Sequence, residues 1–183
     1  MKKRCFWSTN DPLYISYHDN EWGKPVYDDE TLFEFLVLES FQAGLSWITI
    51  LKKRENFRAA FDQFDYRKIA AYDANKMEEL RLNEGIVRNR LKIKAAVVNA
   101  QLFMEIQKEF GSFSTYVWSY VQDRPIVNHF SDRSEVPATT PISDALSKDL
   151  KRRGFKFVGS TIIYAFMQAT GMVNDHTTDC FCH

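Results

Sequence analysis

The spacing of apolar residues commits this chain to helices along most of its length. Residues 29–41, DETLFEFLVLESF, open with acidic side chains and then repeat leucine, phenylalanine and valine at helical intervals. That is the stripe a helix buries, and acids at its start suit the positive end of the helix dipole. The same spacing recurs at 50–61, 76–83, 88–110, 112–122, 143–153 and 158–171, which predicts about seven helices. Breaks fall within EWGKPVYDD, around Asn83 to Gly85, at Gly111, across 123–141 with its three prolines, and at Gly154. No strand pair with a hairpin turn is evident, although RPIVNHF suits an extended segment. The expectation is an all-α fold without internal repeats.

A chain of 183 residues suits one domain, residues 1–183, with a substantial core. Hydrophobic residues make up 45%, charged ones 26%, and seven glycines and five prolines are too few for disorder across most of it. No stretch approaches the roughly 18–20 apolar residues that span a bilayer, and MKKRCFWSTNDPL lacks a signal peptide's apolar run. The expected compartment is the cytoplasm, with no membrane partner. Lysine plus arginine equals aspartate plus glutamate at 24 each, so total charge points to no nucleic-acid partner. Local clusters do exist: LKKRENFR at 51–58, RNRLKIK at 88–94 and KDLKRRGFK at 148–156. Each also reads as an ordinary solvated helix face.

The chain's three cysteines cannot all pair with one another, and a reducing compartment favours thiols or metal ligands. Cys5 and His18 form a C-x12-H pair, and His176 and Cys180 an H-x3-C pair at the other end. Two thiolates and two imidazoles suit tetrahedral zinc, although 157 residues between the pairs match no short zinc-finger pattern. The alternative is a small buried Cys5, a surface or satisfied core His18, and unpaired C-terminal cysteines. Four protein ligands would leave no open position, and the H-x-E with P-C-x-x-C pattern of zinc deaminases is absent, so any zinc would be structural. Such a site would fasten both ends to one core. Cys182 and His183 are spare, or competing ligands.

The segments DPLYISYHDNEWGKPVYDDETLFEFLVLESFQAGLSWITILKKRENFRAAF, NEGIVRNRLKIKAAVVNA and DALSKDLKRRGFKFVGSTIIYAFMQATGMVNDH, with the Cys/His pairs, resemble the 3-methyladenine DNA glycosylase I family of bacterial base-excision repair enzymes. The resemblance runs from Cys5 to about Cys180. It implies a helical fold of the helix-hairpin-helix glycosylase superfamily and a structural Zn2+ on Cys5, His18, His176 and Cys180. It also implies a bacterial cytoplasmic enzyme that hydrolyses the N-glycosidic bond of N3-methyladenine in double-stranded alkylated DNA and releases free 3-methyladenine. We expect it to act as a monomer. An electron-poor flipped base needs aromatic faces, hydrogen bonds to its edge and a carboxylate in a poorly solvated pocket. Trp7, Tyr14, Tyr17, Trp22, Glu39 and Trp47 offer those parts. The resemblance selects Glu39 as the catalytic acceptor at the base edge and Trp47 as the stacking wall, with the others lining the pocket. Periodicity leaves Glu39 open to a place on the solvated stripe of its helix, because Glu34 and Glu39 cannot both be assigned inward. Tyr17 is a candidate donor to the base or to Glu39.

Within NEGIVRNRLKIKAA, Gly85, Arg88, Lys92 and Lys94 are the expected duplex contacts, placed where the superfamily's hairpin should lie. This stretch departs from the superfamily pattern: only Gly85 stands where two hairpin glycines are usual, and no aspartate occurs between Ile86 and Gln122. A mechanism built on the post-hairpin aspartate therefore does not transfer, and nothing indicates a Schiff-base lysine. The expected enzyme is monofunctional, with water as acceptor. In QAGLS, residues 42–46, Leu45 is a candidate wedge for the gap left by the flipped nucleotide, Gln42 a contact to the opposite strand, and Gly44, the glycine before Leu45, belongs to the same expected DNA contact. The alternative makes Leu45 core and Gly44 a close-packing device. Two rival functions stand beside this one: a zinc hydrolase using the Cys/His set, and a zinc-containing DNA-binding module without catalysis.

Overall fold

A computed structural model of the chain describes residues 2–8 and 10–183. Its helices are α1 (Pro12–Asn20), α2 (Asp29–Gln42), α3 (Trp47–Ala60), α4 (Tyr66–Ala70), α5 (Ala74–Leu82), α6 (Arg90–Phe110), α7 (Phe113–Ser119), α8 (Pro141–Arg153) and α9 (Ser160–Ala169). Side-chain caps set most of the starts: Asp28 accepts from Thr31 N for α2, Asn89 from Lys92 N for α6, and Thr140 from Ser143 N for α8. Gly154, at φ +103, ends α8 in the left-handed conformation that a glycine reaches without strain.

Helix α2 is the hub. Leu32, Phe33, Phe35, Leu36, Val37, Leu38 and Phe41 are all buried, so it is covered on nearly every side. Around it pack α3, α6, α7 and α9, and Phe33, Phe103 and Phe113 continue one aromatic core from α2 through α6 to α7.

All seven expected helices occur, with α3 starting three residues earlier than its apolar spacing indicated. Two more were not anticipated. Helix α1 is short and its buried face carries Tyr17 and His18 rather than an aliphatic stripe; α4 has five residues, too few for a period to show. The all-helical expectation has one small exception among the described residues. Ile126–Val127 (β1) pairs in parallel with Val173–Asn174 (β2), Ile126 against Val173. This bridge draws the end of the chain back across the molecule toward α1. No described helix is long and apolar enough to cross a membrane.

Candidate functional site

A cavity of about 360 Å³ opens between α1, the end of α2, the start of α3 and α9. Trp7, Tyr14, Tyr17, Trp22, Glu39 and Trp47 all line it. The aromatics form a continuous wall: Trp7 meets Tyr14 at 5.1 Å and Trp22 edge-on at 4.8 Å, and Tyr17 meets Trp47 at 5.4 Å between centroids. Glu39 is 3% exposed and faces this cavity, so it does not lie on a solvated stripe; Glu34 instead pairs with Arg54 and Arg58. Burial alone pushes the Glu39 carboxyl up to about 8. Its Oε2, the Tyr17 hydroxyl and the Trp47 indole Nε1 are buried without a hydrogen-bond partner among the described residues. One acceptor and two donors of this kind are costly unless something else satisfies them. Tyr17 therefore makes no bond to Glu39 here, and the Glu39 acceptor and Tyr17 donor point to a ligand with a polar edge.

Between Glu39 and Trp47 the chain turns sharply. Gly44 sits at φ +80 with nothing within 4 Å of where a Cβ would stand, so backbone conformation, not close packing, calls for glycine. Leu45 is 40% exposed and is not core. Gln42 lines the cavity mouth.

The structure also brings in residues that sequence reasoning passed over. Phe6, Arg133 and the Val136–Ala138 stretch form the opposite wall, with the Arg133 guanidinium 5.4 Å over the Phe6 ring. Thr161, Tyr164, Ala165 and Gln168 line the cavity from one face of α9. Their spacing was a legible signal, since three- and four-residue steps share a helix face. Asp175 is buried and accepts from Tyr164 (2.5 Å), Gln168 (2.9 Å) and Asn128 (2.7 Å).

Behind the aromatic wall, Cys5, His18, His176 and Cys180 are all buried, with their donor atoms within 4.8 Å of one another. Cys5 Sγ lies 3.3 Å from His176 Nδ1; Cys180 Sγ lies 3.4 Å from His18 Nε2 and 3.5 Å from His176 Nδ1. A tetrahedral ion with sulfur at about 2.3 Å and nitrogen at about 2.0–2.1 Å has sulfur–nitrogen edges of about 3.5 Å. The other ring nitrogens are occupied as metal-binding imidazoles require: His18 Nδ1 meets Asp19 at 2.8 Å, and His176 Nε2 meets the Trp22 carbonyl at 3.0 Å. Asp19 is itself gripped by both arms of Arg4. Gly23, at φ +78, leaves room for His176, which a Cβ would approach to 3.0 Å. The set fits a metal ion. It buttresses the cavity, since His18 packs on Trp7 (5.1 Å) and His176 on Trp22 (4.7 Å).

The basic clusters divide. Arg54 and Arg58 are consumed by Glu21, Glu34 and Glu55, so 51–58 is largely neutralised internally. Arg88 and Lys94 are exposed, with Glu84 3.8 Å from Arg88. Lys92 corrects the expectation of a phosphate contact: it is 7% exposed, and its Nζ donates to the carbonyls of Phe41 (2.8 Å) and Ala43 (2.6 Å). Gly85 lies in the loop between α5 and α6, its carbonyl held by Asn56 at 3.1 Å. A second loop, between α8 and α9, begins at Gly154 and ends at Gly159. Asn99 holds both the N–H and the carbonyl of Lys156 in that loop at 2.9 Å each, and Ser147 holds the carbonyl of Val158 at 2.6 Å.

A family model described as methyladenine glycosylase matches residues 7–183. The DNA-3-methyladenine glycosylase 1 of Escherichia coli (strain K12) is 53% identical over 181 residues, 99% of this chain and 97% of that one. The crystal structure of a 3-methyladenine DNA glycosylase I superposes with a TM-score of 0.97 at 54% identity, covering 99% of this chain and 100% of that one. A tyrosine-to-phenylalanine variant of 3-methyladenine DNA glycosylase I, in complex with 3-methyladenine, superposes with a TM-score of 0.94 at 40% identity over 97% and 96% of the two chains.

Proposed function

This chain belongs to the methyladenine glycosylase family, and we propose that the cavity beneath Glu39 takes N3-methyladenine turned out of alkylated duplex DNA, where the enzyme hydrolyses its N-glycosidic bond. The activity is that of a DNA-3-methyladenine glycosylase. The observation that carries the assignment to this cavity is the pair of buried, unpartnered atoms on Glu39 and Tyr17, set in an aromatic enclosure that includes Trp47.

N3-methylation leaves the nucleobase cationic and its glycosidic bond weak, so the site has to select more than to force. Glu39 complements the cation where water cannot compete, and the indole of Trp47 stacks on the electron-poor ring. As the bond breaks, positive charge leaves the base for the sugar. Glu39 therefore contributes chiefly to capture, acting on excision at limiting enzyme. Tyr17 supplies a donor to the base edge. No lysine lines the cavity among the described residues, which supports a monofunctional enzyme with water as acceptor.

Leu45, exposed beside the mouth, serves as the wedge, with Gln42 reaching the opposite strand. Arg88, Lys94 and the loop carrying Gly85 contact phosphates on one flank. The first turn of α9 lacks a side-chain cap and brings Thr161 to the cavity, so the hairpin from Gly154 to Gly159 contacts phosphates on the other. Cys5, His18, His176 and Cys180 hold a structural Zn2+, which supplies a cross-link and no chemistry to the reaction. The protein works in the cytoplasm as a single-domain monomer.

Incubation with methylated duplex, followed by chromatography of released bases, tests the proposal. Release of 3-methyladenine is the expected result. Duplex binding without release would leave a DNA-binding module, and chelation that stops turnover while the fold persists would favour a zinc hydrolase.

A further inference from the structure

Lys92 is a buried lysine whose two hydrogen bonds run to backbone carbonyls rather than to a carboxylate. A buried ammonium is expensive, so its position demands an account. The account lies in how α2 ends. Its C-cap, Ala43, has φ −48 and ψ 118, outside the helical and left-handed regions, and the terminal carbonyls find other donors. Leu45 N reaches the Gln42 carbonyl at 2.7 Å, and Lys92 takes those of Phe41 and Ala43. A cation at a helix C-terminus is favoured by the dipole as well as by the bonds. Burial lowers the Lys92 pKa, yet each bond is one that the charged form makes best.

Glu39 sits in the last turn of α2, Gln42 at its end, Leu45 on the turn beyond, and Trp47 at the first position of α3. Lys92 reaches this turn from the first turn of α6, where Asn89 holds its own N–H at 3.1 Å. We propose that Lys92 is a positioning residue: its ammonium pins the 41–43 carbonyls to α6 and so fixes the placement of Glu39, Leu45 and Trp47 relative to one another. The role rests on the glycosylase reading for its consequence in catalysis, and on the hydrogen bonds alone for its mechanical part.

Two substitutions test it. Lys92→Met keeps the length and apolar stem but removes both donors, and Lys92→Arg keeps a charged group with several. In Lys92→Met, hydrogen–deuterium exchange of peptides covering 42–47 should rise at least tenfold while exchange in α7 and α8 stays parental. Single-turnover excision at saturating enzyme should fall about tenfold, measured well below the variant's melting temperature. Lys92→Arg should recover most of both losses. The salt dependence of duplex binding should be unchanged, because Lys92 meets no phosphate. Parental excision by Lys92→Met below its melting temperature, with only stability lowered, overturns the proposal, and so does a salt slope shallower by about one, which would make Lys92 a phosphate ligand. If the parental protein releases no base from methylated DNA, the functional reading fails, and the exchange comparison still decides whether Lys92 anchors the turn.

Discussion

Replacing Glu39 by glutamine should change how stability depends on pH, and the structure sets the size of the effect. The carboxyl is 3% exposed, and burial alone raises it from 4.5 to about 8. Below pH of about 4.5, folded and unfolded chains both hold the proton and the residue is indifferent to acidity. Between about 4.5 and 8 the folded chain binds more protons than the unfolded one, so stability falls as pH rises, by at most about 1.4 kcal/mol per unit. Over that window the loss reaches a few kcal/mol, with about 5 as a ceiling. Glutamine does not titrate, so the variant lacks this slope. Relative to the parental protein, Glu39→Gln should gain little at pH 5 and most at pH 8. A gain of about 3 kcal/mol corresponds to roughly 6–12 °C in melting temperature for a chain of this size. Thermal unfolding of both proteins from pH 5 to 9, without ligand, reads the difference directly. Parallel curves across that range would falsify the claim that Glu39 is buried without a charge partner. The same carboxyl that weakens the unliganded fold at pH 8 is what a cationic base would need.

In duplex excision at limiting enzyme, Glu39→Gln should be slowed about ten- to hundredfold, the equivalent of one charge-assisted hydrogen bond; a parental rate would transfer selectivity to Tyr17 and backbone groups. Trp47→Ala should weaken binding of free 3-methyladenine by about 1–3 kcal/mol, measured by calorimetry, and unchanged affinity would remove Trp47 as the stacking wall. Cys5→Ser or Cys180→Ser should lower bound zinc from one per chain and reduce the melting temperature; a metal-free preparation that melts with the native one contradicts the structural site. Neutralising Arg88 and Lys94 together should flatten the salt dependence of duplex binding by about 0.9 for each phosphate they neutralise in the parental protein, with base choice intact. No change would shift the phosphate-binding face to the Gly154–Gly159 hairpin.

Helices with a long apolar stripe were legible in the sequence because their periodicity needs no partner to interpret. Helix α1 was not, since Tyr17 is buried against the cavity and His18 in the Cys/His cluster, which a hydrophobic pattern does not encode. The cavity wall from residues 7 to 47 could be anticipated because its aromatics cluster in sequence, whereas Phe6, Arg133 and Asp175 join it only through the fold. Lys92 shows the limit most sharply. In sequence it is one basic residue among four in RNRLKIK, indistinguishable from Arg88 and Lys94. Only the arrival of the α2 terminus beneath α6 turns its charge inward.

The Cys/His cluster also leads to an expectation about the order of assembly. Its contacts join distant positions, Cys5 with His176 at a separation of 171, so they close a loop of nearly the whole chain, and we expect them late in folding. The hub around α2, α6 and α7 closes loops about half as long, Asp29 meeting Phe113 at a separation of 84. Trp22, by contrast, leans on His176, so its part of the cavity is complete only when the far end of the chain has docked. A refolding chain should regain helical signal before it regains the ability to bind 3-methyladenine, a lag that stopped-flow circular dichroism and ligand fluorescence can resolve. A partly folded copy would then have a helical core but no place for a base, so it would not occupy damage that only a finished enzyme can remove.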